Sequence, residues 1–406
     1  MSNTFVPEMP NGSESGNFIS LDLGTTNFRV VLSQLKPEGE NKFMVKYYTV
    51  PNEFRRGESK NLFDFLASCI ADFVNEYLPN YEKRLPLGFT FSFPMTQKAL
   101  DIGILETWTK NFDCPDAVGK DAAHLLQEAI SRRIDLNVDI VAILNDSTGT
   151  LVKGVYLDPD CAIGLILGTG SNACYIEKAD KIEKWIDRDV SYDDIEEVVI
   201  NMECGGFGDN GVIDFVKTNF DRDVDRDSLF PNSYTFEKYF SGHYLGDIVR
   251  RVILALVQEK ALLNGYISDT LKENNSITST DVSIIEGDEN QSENTVKTLA
   301  KKLGYEVIND EDIEIVRYVC ALISVRGALL LSAIMAKLIE RIDKPNVTIA
   351  IDGSVYKNHP KFHKLMTDFI SELIPGKNFK LILAEDGSGK GAGLLAAIAQ
   401  RFRNKK

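Results

Sequence analysis

The chain lacks the features that mark secreted, membrane-spanning and nucleic-acid-binding proteins. Residues 1–20 contain neither the basic stretch nor the apolar core of a signal peptide, and no run of 18 apolar residues marks a membrane span. A formal net charge of −15 over 406 residues argues against general binding to nucleic acid or anionic membranes. It does not exclude an anion held at a local site. We therefore expect a cytoplasmic protein without a membrane span or a nucleic-acid partner.

Clustered metal and disulfide motifs are also missing. The six cysteines are scattered and none forms a Cys-x-x-Cys pair, which favours buried free thiols in a reducing compartment over disulfides or zinc. His359 and His363 have a spacing that occurs in zinc sites on helices, but Pro360 separates them and no third ligand is evident. We expect these two histidines to flank the start of a helix.

Apolar periodicity predicts strands that alternate with helices. In the stretch 87–93 apolar and small residues alternate strictly, as in a strand, and Pro94 ends it. A polar stretch at 269–294 predicts a surface excursion. The other predicted strands are 18–23, 28–34, 43–50, 140–144, 162–167, 172–177, 196–202, 347–352 and 379–385, and the predicted helices are 62–78, 121–133, 236–264, 312–342 and 389–402. A strand, a glycine turn and a second strand occur twice, which predicts two related α/β lobes with a cleft between them.

Three glycine-rich turns each follow a strand-like apolar run, at 19–30, 165–175 and 381–393. Backbone N–H groups at such turns and at helix N-termini bind anions without Lys or Arg. The last turn does not fit a P-loop, because Ala384 and Gly391 stand where Gly and Ser or Thr are needed. Too few residues follow Ala392 for a dinucleotide-binding unit. Each turn alone can be a simple tight turn, but the three together favour a cradle for a polyphosphate.

The order of these motifs resembles the hexokinase family, within the actin-like ATPase superfamily. The resemblance runs from about residue 4 to residue 403, and is carried by LGFTFSFP (87–94), GILETWTKNF (103–112), ILNDSTGTL (143–151), ILGTGSNACYIE (166–177), NMECGGFGD (201–209), SGHYLGDIVR (241–250), IDGSVYKNHPKF (351–362) and AEDGSGKGAG (384–393). It implies a two-lobed actin-like ATPase fold, also described as ribonuclease H-like, with a central cleft. The implied small lobe is 17–144 with 388–406, the large lobe is 145–387, and 1–16 is a short N-terminal extension.

Asp146 is our candidate for the catalytic base. Phosphoryl transfer to a hydroxyl needs a carboxylate that accepts the hydroxyl proton and orients the oxygen. From the residues alone, Asp146 is equally well interpreted as the N-cap of a helix over 147–156, and the resemblance favours the base. Lys110 is the second candidate catalytic residue, because a lysine there can offset charge on the transferred phosphoryl group and hold a sugar hydroxyl.

The resemblance implies roles for the remaining polar residues of these motifs. The implied sugar-binding residues are Ser92, Thr109, Lys110, Asn145, Asp146, Asn172, Glu203 and Asp247. The implied ATP-binding residues are Asp22, Gly24, Thr25, Thr26, Asn27, Arg29, Gly168, Thr169, Gly170, Ser324, Asp352, Gly353, Ser354, Gly387, Ser388 and Gly389. Asp22 and Asp146 are the implied Mg²⁺ residues, with Asp22 acting mainly through water.

Three departures from the family pattern bear on function. The family usually has some sixty more residues before the first phosphate turn, including a long helix, and its usual GGTN is GTTN here. Asp247 stands where the family has Glu, and Cys204 and Gly206 stand where it has Trp and Ala. If these three positions border the sugar, the pocket is looser and the range of accepted hexoses wider.

The sequence therefore predicts an ATP- and Mg²⁺-dependent kinase that phosphorylates the 6-hydroxyl of glucose or a related hexose, the first step of glycolysis. The alternatives are an N-acetylglucosamine or broad-range hexose kinase, and a hexokinase-like sugar sensor with weak catalysis. The expected partners are a hexose and ATP, and the chain is expected to be a monomer or a homodimer.

Overall fold

Two β-sheets of unequal size form the framework of the protein. The computed structural model describes residues 1–24, 27–37, 40–109, 111–182, 196–288 and 292–403. Helices pack on both sheets, as expected for the predicted two-lobed α/β fold. All ten predicted strands are confirmed, with shifts of a few residues at their ends.

The larger sheet brings the second glycine turn and the turn after β12 to one edge. From side to side it consists of β1 (Ser2–Asn3), β11 (Glu197–Asn201), β10 (Ser171–Lys178), β9 (Cys161–Leu167), β12 (Asn346–Asp352) and β13 (Asn378–Leu383). Strands β9, β12 and β13 are parallel, whereas β10 and β11 run antiparallel to their neighbours. Because β9 and β12 are parallel neighbours, the turns that follow them, 168–170 and 352–354, lie side by side.

The smaller sheet carries the first glycine turn. It consists of β4 (Lys42–Thr49), β3 (Asn27–Leu35), β2 (Gly16–Leu23), β5 (Leu85–Phe91) and β8 (Val138–Leu144) in that order. Strands β2, β3 and β4 are antiparallel, and β2, β5 and β8 are parallel. A hairpin of β6 (Met95–Ala99) and β7 (Ile102–Leu105) follows β5. The connection from β2 to β3 and the carboxyl ends of β5 and β8 therefore share one edge.

Two helices cross in close contact between the sheets. Helix α3 (Asp146–Leu157) packs on the larger sheet, and α12 (Gly387–Arg403) packs on the smaller one. A Cβ atom added to Gly391 would lie 1.8 Å from the carbonyl oxygen of Gly149, so only glycine fits at this crossing. Ser20 Oγ and Thr90 Oγ1 anchor α12 by donating to the carbonyls of Gly389 and Ser388, at 2.6 and 3.1 Å.

The other helices cover the outer faces of the two sheets. The smaller sheet packs against α1 (Ser59–Tyr77) and α2 (Ala122–Ser131) in one apolar core. The larger lobe contains α4 (Asn219–Arg226), α5 (Leu245–Gln258), α6 (Asp269–Lys272), α7 (Ser279–Glu286), α8 (Glu293–Lys297), α9 (Asp310–Ile342), α10 (Ser354–Asn358) and α11 (Phe362–Leu373).

One helix is long and apolar enough to cross a membrane by length and composition. It is α9, the only such helix among the described residues, with a mean hydropathy of 2.1 over its most apolar window. The expectation of no candidate span was therefore too strict. More than half of that window is buried inside the protein, as is typical of a core helix.

Two secondary-structure predictions in the larger lobe are wrong. Residues 236–264 do not form one helix, because the chain turns at Gly242, whose N–H donates to the Gly168 carbonyl at 2.8 Å, before α5 begins. Residues 269–288 are not a surface excursion, because α6 and α7 bury Leu271 and Val282 in the core. Side-chain caps of Ser268 and Thr278 start these two helices, which explains the polar composition.

The first residues were not predicted to join a sheet. We expected 1–16 to be an extension, but Ser2–Asn3 pairs with β11 as an edge strand of the larger sheet. Further along, Glu8 and Glu14 form ion pairs with Arg401 of α12. The segment thus contacts the larger sheet and the helix α12, which packs on the smaller sheet.

Candidate active site

The start of α3 holds two of the predicted sugar-binding residues. Asn145 is the N-cap, and its Oδ1 accepts from the Ser147 N–H at 2.9 Å and from Ser147 Oγ at 2.8 Å. Asp146 is the first residue of the helix, so the helix-cap interpretation belongs to Asn145. The Oδ1 of Asp146 also accepts from the Ser147 N–H, at 2.9 Å. Both side chains are half-buried at the carboxyl end of β8, beside the cleft.

A chain of side-chain amides connects Asn145 to Glu203. Asn172 Nδ2 donates to Asn145 Oδ1 at 3.0 Å and to Asn201 Oδ1 at 2.8 Å. Asn201 Nδ2 in turn donates to Glu203 Oε1 at 2.8 Å. The Oδ1 of Asn172 accepts from the N–H groups of Ala173 and Cys204. Asn172 is therefore used largely inside the protein, where it orients its neighbours, and Asn201 is a site residue that the sequence did not reveal.

Glu203 sits at a sharp backbone turn in the cleft. Its φ of 50° is left-handed, which is uncommon for a non-glycine residue and is often found at functional sites. Burial in the cleft raises the pKa of the Glu203 carboxyl, and the charge of Asp146 adds to this rise, while the hydrogen bond from Asn201 opposes it. Water still reaches the side chain from the open side of the cleft.

A cavity of about 470 Å³ opens beside Glu203. It lies between the two lobes, and its size is in the range of small-molecule sites. The lining residues are Met1, Ser2, Asn3, Phe5, Pro94, Met95, Thr96, Gln97, Glu106, Asn201, Glu203, Gly206, Asp209, Ser233 and Tyr234. The N-terminal edge strand thus forms part of the wall, which was not expected from the sequence.

Glu237 is a further carboxylate, beside the second glycine turn, that the sequence did not reveal. Its Oε2 accepts from the Ser171 N–H at 2.8 Å, and its side chain lies against Gly170 and Gly205. The charges of Glu203 and Glu237 both raise the pKa of Tyr234, after burial as the main cause, so the two carboxylates lie close to one side chain. Glu237 stands in a short 3-10 turn, where no periodic pattern marks it.

Asp247, in contrast, does not point into the cleft. Its carboxylate is buried and forms ion pairs with Arg250 at 2.5 Å and Arg251 at 2.8 Å, and it accepts from the Asn275 N–H. Burial opposes ionisation, but these partners lower the pKa of Asp247 below its usual value. Its assignment as a sugar-binding residue is corrected, because both carboxylate oxygens are held within the larger lobe. The expectation of a wider hexose range loses one of its grounds.

Cys204 is the second position at which this chain differs from the family pattern. Its side chain is buried in the apolar core of the larger lobe, and burial raises the pKa of its thiol to about 12. The thiol is thus an apolar packing group under the Glu203 turn rather than a group presented to a ligand.

Ser324 is also placed away from a ligand-binding surface. It is fully buried in α9, its hydroxyl donates to Glu286, and it lies 3.1 Å from His359 Nε2. His359 in turn contacts Glu286 at 3.2 Å, so this cluster joins α7, α9 and the end of α10. The assignment of Ser324 to the nucleotide is corrected. His363 pairs with the Tyr356 hydroxyl instead of sharing a metal with His359.

The loop between β7 and α2 brings Thr109 towards the end of β5. A turn closed by the Phe112 N–H and the Thr109 carbonyl, at 3.1 Å, follows Trp108. Ser92 is buried just after β5, where its N–H donates to the Leu23 carbonyl at 3.3 Å. Lys110, Thr25 and Thr26 lie outside the described residues, so their roles stay predictions.

Three carboxylates from three elements surround Arg29 of β3. The guanidinium contacts Asp22 at 2.7 Å, Asp386 at 2.5 Å and Asp352 at 3.6 Å. Ser388 Oγ joins this cluster by donating to Asp22 Oδ2 at 2.6 Å. The ends of β2, β12 and β13 therefore converge on Arg29, although Asp386 was not among the predicted residues.

The charges in this cluster are mutually dependent. Burial alone would lower the pKa of Arg29, but the carboxylates of Asp22, Asp352 and Asp386 raise it above its usual value. Burial raises the pKa of Asp352, with Arg29 opposing the rise. Burial also acts to raise the pKa of Asp386, but Arg29 and the Tyr47 hydroxyl outweigh it, so the pKa of Asp386 is lowered. Three carboxylates therefore share one guanidinium, which leaves a formal excess of negative charge at this point.

The second glycine turn and the turn that follows β12 touch through their backbones. Gly353 has a φ of 123°, and a Cβ atom there would lie 2.4 Å from the Leu167 carbonyl oxygen. Gly168 packs directly on Gly353, while Thr169 and Ser354 remain exposed. The Thr169 carbonyl accepts from the His243 N–H at 3.0 Å, which fixes this turn from the opposite side. Gly24 and Asn27 flank the first turn, and Gly387, Ser388 and Gly389 open α12.

Comparison with known proteins agrees with this geometry. Two family models, both described as hexokinase, match residues 1–156 and 162–398. The chain belongs to the hexokinase family. Human hexokinase-1 is 42% identical over 410 residues, which cover 99% of this chain and 44% of that protein. The chain thus spans less than half the length of this curated relative.

Solved hexokinase structures share the fold over nearly the whole chain. The hexokinase of Schistosoma mansoni complexed with glucose has a TM-score of 0.89 and 41% identity, and covers 98% of this chain and 88% of its own. A second hexokinase crystal structure has a TM-score of 0.81 and 30% identity, with the same coverage. A glucokinase of the ROK family from Streptomyces griseus has a TM-score of 0.52 and 16% identity, which supports the fold alone.

Proposed function

We propose that this hexokinase transfers the γ-phosphoryl group of Mg·ATP to the 6-hydroxyl of glucose or a related hexose. The observation that carries the proposal is the joint presence, along one cleft, of the Asn145–Glu203 amide chain and the Arg29 carboxylate cluster. The first suits a ligand rich in hydroxyls, and the second suits a polyphosphate with its metal. The glucose-bound Schistosoma mansoni relative supports the choice of sugar.

The sugar side of the cleft is built for hydroxyl groups. Carboxylates accept and amides both donate and accept, so a hexose can satisfy them from several hydroxyls at once. Asn145 has its Oδ1 occupied by three donors, and its Nδ2 has no partner among the described residues. This leaves an N–H donor for the sugar, while Glu203 and Glu237 supply acceptors. A site of this kind rejects analogues that lack one hydroxyl, because its polar groups are left unpaired.

Asp146 is proposed as the base that accepts the proton of the reacting hydroxyl. It lies at the N-terminus of α3, directly after Asn145 at the end of β8. Burial is the main cause of the raised pKa of Glu203, and the charge of Asp146 adds to it. Lys110 is proposed to offset the charge of the transferred group, a role supported by its place in the sequence next to Thr109.

The phosphate side is supported by the turns at the strand ends. Backbone N–H groups of 168–170 and 387–389 are suited to phosphate oxygens, and α12 begins at the second of these turns. Mg²⁺ fits here because it binds through one or two carboxylates, several waters and substrate phosphates rather than through an all-protein cage. Asp22 is proposed to hold it beside Arg29, with Asp146 near the transferred phosphoryl group. The ion supplies charge neutralisation for phosphoryl transfer.

The sensor alternative is less well supported than it was by sequence. It rested on the changed residue at Asp247 and on the short N-terminus. The structure assigns the Asp247 carboxylate to two arginines, so it gives no sign of a weakened sugar site.

The six cysteines are all free and buried, which supports a cytoplasmic location.

The proposed function is tested by a panel of hexoses with Mg·ATP. We expect ADP release that depends on glucose or a related hexose, measured directly by chromatography of the nucleotides. The panel includes N-acetylglucosamine and fructose, because ADP release with these sugars would indicate a broad-range kinase rather than a glucose-specific one. Saturable hexose binding without any hexose-dependent ADP release would contradict the proposal and favour the sensor.

Substitutions of Glu237 and Asp247 test which of these two carboxylates binds the hexose. Glu237→Gln should raise the KM for hexose by about 10- to 100-fold, because a charged hydrogen bond contributes about 1.5–3 kcal/mol. Asp247→Asn should leave that KM unchanged but lower the Tm, since it breaks a buried ion pair with Arg250. Steady-state kinetics and thermal unfolding of both variants decide this. Equal effects on KM would return Asp247 to the sugar site.

The raised pKa of Glu203 predicts that hexose capture weakens in mild acid. Protonation removes the charged acceptor, and a raised pKa brings this loss to a higher pH than for an ordinary glutamate. The KM for hexose should therefore rise as the pH falls from about 7 to about 5. In Glu203→Gln the KM should be high throughout and flat over this range. A Glu203→Gln variant with the same pH slope as the wild type would assign the titration to another group.

A further inference from the structure

An aromatic cluster supports the loop that carries Thr109. Trp108 stacks on Phe112 with ring centroids 5.7 Å apart, and Phe93 meets both rings edge-on at 4.9 and 5.2 Å. Trp108 Nε1 also donates to the Cys114 carbonyl at 2.7 Å. These contacts pack the loop against the segment that follows β5.

Arg55 connects this loop to the smaller sheet. Its side chain is only 9% exposed, and its guanidinium lies over the Phe112 ring at 5.8 Å. Its carbonyl accepts from the Asp113 N–H at 2.7 Å, and the Gly57 N–H donates back to the Asp113 carbonyl at 3.0 Å. The segment around Arg55 therefore holds the Thr109 loop through both backbone and side chain.

The other end of the Arg55 side chain reaches the strand beside the first phosphate turn. Its Nε and Nη2 both donate to the Val50 carbonyl, at 3.0 and 2.7 Å. Val50 directly follows Thr49, the last residue of β4, which pairs with Asn27 at the end of that turn. The buried guanidinium of Arg55 thus connects the end of β4 to Phe112.

We propose that Arg55 is a positioning residue for phosphoryl transfer, which sets the loop that carries Thr109 at a fixed distance from the end of β4, beside Asn27. The inference rests on the proposed function and adds a residue that contacts neither substrate. Arginine suits this role because its planar fork donates two bonds to one carbonyl while its face stacks on a ring. A loop that is misplaced by about 1 Å can cost about 10²-fold in rate.

The test compares Arg55→Met with Arg56→Met. The two arginines are adjacent, but the Arg56 side chain is exposed, so the second variant makes the same chemical change without losing the buried contacts. Arg55→Met should lower kcat by about 10- to 100-fold with a smaller rise in the hexose KM, because Thr109 and Lys110 are predicted sugar contacts whereas the sugar carboxylates lie on the other lobe. Arg56→Met should keep the wild-type kcat. Arg55→Lys should be intermediate, since it keeps the cation but loses the fork.

A second readout separates this inference from the proposed function. The chain has two tryptophans, Trp108 and Trp185, so Trp185→Phe isolates the emission of Trp108. In that background Arg55→Met should increase acrylamide quenching of Trp108, and Arg56→Met should not. If the wild type phosphorylates no hexose, the proposed function is wrong, and quenching still decides whether Arg55 orders the loop.

Two results would overturn the inference. One is an Arg55→Met enzyme whose kcat equals that of Arg56→Met at a temperature where both are folded. The other is Trp108 quenching that is the same in the two variants. Unequal quenching with equal kcat would also overturn it, because the loop would then be ordered by Arg55 without consequence for transfer.

Discussion

Asp146→Asn is expected to lower kcat by about 10²- to 10⁴-fold, the usual contribution of a positioned general base. The amide is nearly the same size and keeps an oxygen for the Ser147 N–H, so α3 should start as before. It cannot accept the proton of the reacting hydroxyl. Hexose binding should survive, because Asn145, Glu203 and Glu237 remain in place.

This prediction needs kinetics and binding on the same sample. We expect titration calorimetry to give a hexose Kd close to the wild-type value, while the rate of ADP formation collapses. Asp180→Asn, which changes an exposed carboxylate, is the matched control and should turn over normally. Turnover of Asp146→Asn near that of the control would remove Asp146 as the base.

The largest expected effect on stability comes from Gly391→Ala. A methyl group there would lie 1.8 Å from the Gly149 carbonyl oxygen, a distance that no real Cβ atom adopts. Helices α3 and α12 must therefore move apart, and overpacking of this kind typically costs about 1–3 kcal/mol and occasionally more. Because these helices join the two lobes, turnover should fall as well.

Thermal unfolding of Gly391→Ala and Gly287→Ala measures this effect. Gly287 ends α7 with an ordinary negative φ, and a Cβ atom there would meet its neighbours only at 3.4 Å. The control should therefore unfold near the wild-type Tm, while Gly391→Ala unfolds well below it. Equal Tm values would mean that the helix crossing adjusts without cost, against the close contact described here.

The strands and the glycine turns could be predicted because their signals are local. Alternation over 87–93 and apolar runs before Asp22 and Asp352 mark strand ends, and parallel strand ends meet at one edge. The convergence on Arg29 follows from that rule. Its third carboxylate, Asp386, was missed because it lies one residue before the glycine motif that was recognised.

The sugar side was harder to predict because its residues come from irregular backbone. Glu237 lies in a 3-10 turn after a long stretch without periodicity, and it reaches the cleft only because Gly170 and Gly205 leave room for it. Asp247, by contrast, lies in a regular helix where charge alone does not tell an ion pair from a ligand. Ser324 was misassigned for the same reason, since its partners Glu286 and His359 come from distant parts of the chain.

The central claim is tested most directly by identifying the product. Wild-type protein, Mg·ATP and glucose labelled with ¹³C should be followed by ³¹P and ¹³C NMR in one tube. We expect glucose 6-phosphate and ADP in equal amounts, and formation of both slowed by about 10²- to 10⁴-fold with Asp146→Asn. Free phosphate and ADP without a sugar phosphate, or a phosphoryl group on another hydroxyl, would contradict it.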